Sequence, residues 1–196
     1  MYEYTDKVIS YIEGQLIERF SRLKALTTFD ELNVLQSVND LYRELGVIIR
    51  KAFLKLAVRS YRSTARNKNA RVIDEMWVEE ILDSYDAVSK YVFTHEEDRK
   101  RARTIEALIA SDTKAKEIDA ALRAMSLMCR IYAVRVTDEA VLQAFKDDGE
   151  ERAMWDSEND GATCPICLSR DGKVYKISEL PPKPHINCRC KYRRVP

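Results

Sequence analysis

The sequence predicts a mainly α-helical protein, with a helical bundle-like body over residues 1–147 and a small zinc-stabilised β-hairpin module over residues 148–196. Two observations favour this division. Residues 1–145 contain no proline and only two glycines, Gly14 and Gly46, so nothing interrupts long helices there. All five prolines follow residue 147, where the helical periodicity also stops.

The first two helices are predicted from apolar residues that recur every three or four positions. On the first helix these residues are Ile9, Ile12, Leu16, Phe20 and Leu23. Thr28 and Glu31 then have the spacing of a capping box, which predicts the start of a second helix. Its apolar positions form a seven-residue seam suited to packing against other helices: Leu35, Val38, Tyr42, Leu45, Ile49, Ala52 and Leu56. Residues 67–69 are expected to end it.

The remaining helices of the body follow from the same periodicity. A third helix is expected to carry one apolar face, made of Trp77, Ile81, Tyr85, Val88 and Val92. Thr94 to Glu97 is a second candidate capping box. Two more helices fit between that point and Asp147. Core packing within a bundle is the expected role of these apolar faces.

The segment after Asp147 has a different composition and predicts short strands. Residues 153–156 and 173–177 have strand patterns, and Asp171 with Gly172 is a dipeptide that tight turns prefer. So small a segment buries too little apolar surface to fold on that basis alone. It therefore needs another source of stability.

Clustered cysteines offer this further source of stability, because they can bind a metal ion. Four of the five cysteines lie within residues 164–190, together with a histidine. Zinc prefers four nitrogen or sulfur ligands, and a Cys-x-x-Cys turn followed after a spacer by a second pair is typical of structural zinc sites. The candidate ligands are Cys164, Cys167, His185, Cys188 and Cys190. Five candidates compete for four positions, and the sequence does not decide between Cys188 and Cys190, which are not expected to bind together without a local turn.

Three other uses of these cysteines stay open. Disulfide bonds would suit an exported domain, but no feature indicates export. Cys164 and Cys167 could form a thioredoxin-like redox pair, which needs a strand before it and a helix after it in a βαβ unit, and neither is evident. The thiols could also be buried without a metal. Their tight clustering with a histidine favours zinc.

A catalytic zinc site is a further alternative, because acidic residues that could act as a base lie nearby. Such a site keeps one position open for water. The candidate bases are Asp156, Glu158, Asp160 and Asp171. A His-Cys nuclease needs additional histidines, whereas the only other histidine, His95, is expected to face solvent in the first turn of a helix. Cys129 is expected in the core. The surplus of thiols favours a closed, structural site.

Charge and hydropathy argue against two classes of protein, dedicated nucleic-acid binders and membrane proteins. The net charge is +1, which argues against a dedicated nucleic-acid binder. Contact with DNA through three basic clusters stays an alternative. These clusters are Arg59, Arg62, Arg66, Lys68 and Arg71; Arg99, Lys100, Arg101 and Arg103; and Lys191, Arg193 and Arg194. No apolar run is long enough for a membrane span and no secretory signal is present, so we expect synthesis in the cytoplasm and no membrane contact.

The C-terminal motifs resemble those of phage head morphogenesis proteins, or minor head proteins, related to the F protein of phage Mu. Order and spacing both match over about residues 130–192. The matching motifs are Trp155, the acidic stretch 156–160, Cys164-Pro165-Ile166-Cys167, Asp171-Gly172-Lys173, Pro181-Pro182 and His185-Ile186-Asn187-Cys188-Arg189-Cys190. One departure is Ile186, where the family usually has proline.

The resemblance implies a structural, non-enzymatic component of the virion that assists head assembly or DNA packaging and ejection. Its expected partners are the portal and/or the major capsid protein, within an oligomeric assembly. Its expected location is the capsid interior or portal vertex, and the host cytoplasm during assembly. The alternatives are a DNA-contacting zinc module and a metal-dependent nuclease or hydrolase.

Overall fold

Helices dominate the structure, a computed structural model that describes residues 2–69, 71–185 and 188–196. Five helices precede the C-terminal module: α1 (Tyr2–Lys24), α2 (Glu31–Thr64), α3 (Glu75–Asp83), α4 (Phe93–Ala110) and α5 (Lys114–Asp147). The module contains β1 (Arg152–Asp156), α6 (Pro165–Arg170), β2 (Val174–Lys176), a 3-10 turn (Ile177–Glu179) and β3 (Lys191–Arg193). The predicted fold class, mainly α with a small C-terminal β element, is confirmed.

The long helix α5 lies at the centre of the body, and α1, α2, α3 and α4 all pack against it. Most side chains of its second half are buried, although Glu139 and Lys146 are exposed, as expected of a helix that packs against several others. Buried side chains there include Ile131, Tyr132, Ala133, Val136, Ala140, Val141, Ala144 and Phe145. None of the helices in the described residues is long and apolar enough to cross a membrane.

The apolar stripes predicted for α1 and α2 are buried, with one exception. All five predicted core residues of α1 are buried, and so are six of the seven predicted for α2. Leu35 is 44% exposed, and Val34 is buried in its place. A straight helix repeats every 3.6 residues, so a strict seven-residue seam drifts around it along its length. The predicted seam was therefore wrong at its first position.

Both predicted capping boxes were wrong. Asp30 is the N-cap of α2, and its carboxylate accepts a hydrogen bond of 3.0 Å from the backbone N–H of Asn33. The Thr28 hydroxyl instead accepts from the side-chain amide of Asn33. α4 begins at Phe93 without a side-chain cap, and the Thr94 hydroxyl donates to Asp83.

The third helix is shorter than predicted, because Asp86 stabilises a turn. α3 ends at Asp83, and residues 84–92 form a loop closed by an antiparallel bridge between Asp86 and Tyr91. The Asp86 carboxylate accepts from the backbone N–H groups of Val88 and Ser89. A short acidic side chain thereby satisfies backbone donors that a continuing helix would have used. The predicted positions Tyr85 and Val88 consequently lie outside the helix.

The end of α2 is also earlier than predicted. The helix ends at Thr64, before residues 67–69, because the carboxylate of Asp148 accepts hydrogen bonds from the backbone N–H groups of Arg66 and Asn67. These bonds tie the residues after α2 to the end of α5.

The C-terminal module contains a three-stranded antiparallel sheet rather than a hairpin alone. The strand order is β2-β1-β3, with Ala153 opposite Tyr175 and Trp155 opposite Tyr192. The two predicted strands correspond to β1 and β2, whereas β3 and α6 were not predicted. Val141 and Phe145 of α5 pack in the same apolar cluster as Trp155. The division into domains at residue 147 therefore stays a prediction.

Candidate metal centre

The first two candidate ligands are positioned by α6. Cys164 is its N-cap residue, and the Cys164 thiol accepts a hydrogen bond of 3.4 Å from the backbone N–H of Cys167. Pro165 occupies the first helical position, which its fixed φ angle suits. The hydrogen bond from the Cys167 amide lowers the pKa of the Cys164 thiol. The short helix thus brings two sulfur atoms to one side of the module.

The other candidates come from the segment before β3. The carbonyl of His185 accepts a hydrogen bond of 3.2 Å from the backbone N–H of Cys188. Ile186 and Asn187, and with them the departure from the family pattern at Ile186, lie outside the described residues. This bond holds the backbones of two candidate ligands, one on each side of that gap, close together.

All five candidates meet around Cys167. The donor atoms of Cys164, Cys167 and His185 lie within 4.8 Å of one another, and so do those of Cys167, Cys188 and Cys190. The Cys167 sulfur is 3.8 Å from the His185 Nε2 atom and 3.6 Å from the Cys188 sulfur. A tetrahedral zinc ion with zinc–sulfur bonds of about 2.3 Å separates its ligand sulfurs by roughly 3.8 Å. The two distances from the Cys167 sulfur therefore fit such an ion, and the donors of the described residues form two sets of three that share Cys167.

Cys188 and Cys190 both face the cluster, so the expectation that they could not act together without a local turn was wrong. Residues two apart in an extended segment lie on the same face. Both are buried, as is Cys167. Burial raises the pKa of the Cys167 and Cys188 thiols. A metal ion that binds here has to displace their protons.

The chemistry of this donor set suits zinc. Four thiols and one imidazole are soft or borderline donors, and neither set of donors in the described residues contains a carboxylate. All five cysteines are free thiols. A helix does follow Cys164, contrary to expectation, but the sheet is antiparallel and no βαβ unit surrounds the pair.

The apolar surroundings of the cluster are built on Trp155. Its indole ring packs edge-on against Tyr192, with ring centroids 5.6 Å apart. Arg170 lies over the same indole and donates a hydrogen bond of 2.8 Å to the carbonyl of Pro182. Arg170 therefore links α6 to the segment that precedes His185, a role that sequence reasoning missed. The only feature of the sequence that indicates this role is the position of Arg170 in the last turn of α6, and α6 itself was not predicted.

Two basic residues, Lys183 and Arg194, hold the module on α5 and on the residues just after it, and both roles were also missed. The Lys183 ammonium is 2.6 Å from the Asp138 carboxylate, and both side chains are almost completely buried. Arg194 pairs with Asp148 and Glu150 and donates to the carbonyl of Thr64. Long-range pairs of this kind leave no local pattern in a sequence.

The four acidic residues considered as catalytic bases all have structural partners. Asp156 pairs with Arg193, Glu158 with Lys191 and Asp160 with Arg189. The carboxylate of Asp171 accepts from Ser157 and Asn159. Hydrogen bonds from Arg189 and Thr163 lower the pKa of the Asp160 carboxyl. These carboxylates stabilise the loop between β1 and α6, which favours a structural role.

The two remaining candidate residues lie outside the cluster. His95 is exposed in the first turn of α4, as expected. Cys129 is buried in the core of the body, and burial raises the pKa of its thiol. Neither belongs to a set of metal-binding donors.

The comparison with protein families decides the relationship. The family described as Phage Mu protein F like protein matches residues 64–193. The chain belongs to this family. As a phage head morphogenesis protein of the Mu F-like type, it has all five candidate ligands inside the matched range, while α1 and nearly all of α2 precede it. No curated protein and no solved structure matches the chain.

Proposed function

We propose that the chain is a structural, non-enzymatic minor head protein whose C-terminal module is held together by one zinc ion. The meeting of two three-donor sets at Cys167, within the family-matched range, is the observation that supports this function most directly. Four of Cys164, Cys167, His185, Cys188 and Cys190 would bind the ion. A closed site of this kind stabilises a fold rather than activating water.

Zinc would supply folding free energy to a module whose apolar core is small. Cys164 and Cys167 would hold the ion from α6, and two of the other three candidates would hold it from the segment that leads into β3. The ion thereby joins the two parts of the module that the sheet alone does not connect, because α6 forms no strand pairing. Trp155 and Tyr192 shield the cluster on its apolar side.

The module would act as a docking element fixed to the helical body. Lys183 and Arg194 tie it to α5 and to the end of α2. Membership in the family supports association with other head components. We place the protein at the capsid interior or portal vertex, in contact with the portal and/or the major capsid protein, as part of an oligomeric assembly that assists head assembly or DNA packaging and ejection.

Metal content of the purified, full-length chain tests the zinc site. Elemental mass spectrometry is expected to find one zinc ion per chain in the parent and none in a Cys164→Ser, Cys167→Ser double variant. Cys129→Ala is the matched control, because Cys129 lies outside both donor sets; it should retain the zinc. Absence of metal from reduced protein that was purified without any chelator would refute the proposed site.

Cobalt substitution identifies the four ligands. The intensity of the thiolate-to-cobalt charge-transfer absorption reports how many sulfur atoms bind the ion. His185, Cys188 and Cys190 are each replaced in a single variant. Two of these variants should change the cobalt spectrum, either by lowering this intensity or by changing the ligand field. The third should leave the spectrum unchanged. That unaffected position is the surplus candidate.

A separate assay tests the place of the protein in the head. Heads assembled in cells with and without the gene are purified, and the chain is measured by mass spectrometry. The proposal expects the chain inside the particles at low copy number, cross-linked to the portal or major capsid protein. Heads that form, package DNA and infect equally well without the chain, and that never contain it, would contradict the proposed function.

A further inference from the structure

A run of basic residues without any acidic residue covers the second half of α2 and the loop after it. Residues 45–73 contain eight Lys or Arg and no Asp or Glu. Some of these cations have partners elsewhere in the fold. Arg50 pairs with Glu79 and Glu97, Arg66 with Glu150 and Arg71 with Asp147. Lys51, Lys55 and Arg62 are exposed and have no acidic partner among the residues that the structure describes.

These three unpaired cations share one face of the helix. At 100° per residue, Lys51, Lys55 and Arg62 fall within about 40° of one another on the helical wheel. They extend over about 16 Å along the axis, at a rise of about 1.5 Å per residue. Acidic residues return to this face only towards the N-terminal end, where Glu44 pairs with Arg19 and Arg22 of α1. The positive charge is therefore concentrated on one half of α2.

The neighbouring helix α1 completes the surface. Lys7 of α1 lines a groove of about 300 Å³ together with Lys51 and Lys55, between the rings of Tyr4 and Tyr11. Lys7 is paired with Glu3, and Arg59 lies 4.1 Å above the Tyr4 ring. We name Lys7, Lys51, Lys55, Arg59 and Arg62 the basic face. Among the described residues that line this groove and its rim, Glu3 is the single acidic residue. The basic face therefore has a net positive charge.

We propose that the basic face binds the phosphate backbone of nucleic acid, without reading its sequence. A row of cations along a helix attracts a polymer with regularly spaced phosphates and releases its counterions. The groove has no Asn or Gln side chain, the residues that read adenine through paired hydrogen bonds. Among the apolar groove residues Val8 and Ala52 are buried and only Tyr11 is more than half exposed, which leaves little apolar surface for insertion into an anionic membrane.

This inference goes beyond the proposed function, because the basic face lies before the family-matched residues 64–193. It also differs from the prediction that three basic clusters act together. Lys191, Arg193 and Arg194 of the third cluster are all paired with carboxylates, and so are Arg99, Lys100 and Arg101 of the second. The basic face includes three lysines that belong to none of those clusters.

The test measures association of the full-length, zinc-replete chain with a mixed-sequence DNA duplex of about 30 base pairs, which is roughly three helical turns. The binding constant is measured by fluorescence anisotropy over a range of salt concentrations. The test variant is Lys51→Gln, Lys55→Gln, Arg62→Gln. The control variant, Lys116→Gln, Arg123→Gln, Lys173→Gln, removes the same charge from exposed positions elsewhere. All six side chains are exposed, so both variants should fold.

We expect the parent to bind DNA with an affinity that falls steeply with salt, and a scrambled duplex to bind equally well. The test variant should lose at least about tenfold in affinity at low salt, and its salt slope should fall by about 2.7, since each duplex phosphate contributes about 0.9. The control should change less than about twofold. Equal losses in both variants, absence of salt-dependent binding by the parent, or binding to anionic phospholipid vesicles but not to DNA would each overturn the proposal. Because the assay uses purified protein, its outcome does not depend on where the chain lies in the head.

Discussion

At the scale of single residues, Gly46 has an unusual position inside a long helix. A glycine in a helix interior normally destabilises the helix by about 1 kcal/mol relative to alanine. A Cβ atom at Gly46 would lie 3.1 Å from the Arg50 guanidinium and 3.1 Å from the Glu97 carboxylate. The missing side chain therefore leaves room for the ion pair that joins α2 to α4. At Gly14, nothing lies within 4 Å of the corresponding position.

The two glycines should respond differently to alanine. We expect Gly14→Ala to stabilise the protein by about 0.5–1 kcal/mol, and Gly46→Ala to give no gain, because the new methyl group crowds the ion pair. Urea denaturation measures both. In an Arg50→Ala, Glu97→Ala background the gain at Gly46 should return, since both crowding side chains are absent. Equal gains at both glycines in the parent would show that the close contact has no energetic consequence.

At the scale of elements, the start of α2 distinguishes between two caps. The sequence suggested Thr28 and Glu31, but Asp30 accepts the capping hydrogen bond from Asn33. We therefore expect Asp30→Ala to destabilise the protein by about 1 kcal/mol. Thr28→Ala, which removes only a bond to the exposed side chain of Asn33, should cost less than about 0.5 kcal/mol. Chemical denaturation measures the loss of stability in each variant. A larger loss for Thr28→Ala than for Asp30→Ala would favour the capping box predicted from the sequence.

Periodicity predicted the helices well because each long helix buries one continuous stripe, which repeats in the sequence. It failed where a side chain outside the repeat determines the backbone. Asp86 ended the predicted third helix by satisfying Val88 and Ser89, and Asp148 ended α2 from a distance of more than 80 residues in sequence. A pattern within one segment contains no trace of such partners.

The candidate metal centre was predicted in composition but not in geometry. Spacing alone identified the five donors, since a Cys-x-x-Cys and a second cluster of ligands are local motifs. Their meeting around Cys167 depends on α6 and on the backbone hydrogen bond between His185 and Cys188. The sheet strand β3 escaped prediction because three residues are too few to show a period.

At the scale of the whole molecule, Arg194 connects three parts of the chain. It pairs with Asp148 and Glu150, donates to Thr64 and lies over the Phe145 ring. Asp148 is almost completely buried, so loss of its partner leaves a poorly solvated carboxylate. We expect Arg194→Ala to destabilise the protein by about 2 kcal/mol.

Arg193 provides the control for that prediction. Its side chain is 63% exposed and it pairs with Asp156, so Arg193→Ala should cost less than about 1 kcal/mol. Hydrogen exchange should show faster opening of β3 and of residues 64–67 in the Arg194 variant only. Similar stability of the two variants would mean that the apolar contacts of Tyr192 suffice to hold the module.

Removal of the metal should separate the module from the body. With Trp77→Phe as the background, Trp155 is the only tryptophan, and its emission is expected to shift to longer wavelength on addition of a strong chelator. The far-ultraviolet circular dichroism of the helices should remain, because metal binding is linked to folding of the module alone. In a Trp155→Phe background the emission of Trp77 should not change. Simultaneous loss of both signals would show one cooperative unit and contradict a division near residue 147.

The strand order β2-β1-β3 has a consequence for synthesis on the ribosome. The central strand β1 emerges first, yet one of its edges stays open until residues 191–193 have left the exit tunnel. By then α1 to α5 have been outside for some time, and the last donors, Cys188 and Cys190, appear only just before the closing strand. The module is therefore completed after the helical body, which is already free to fold by then.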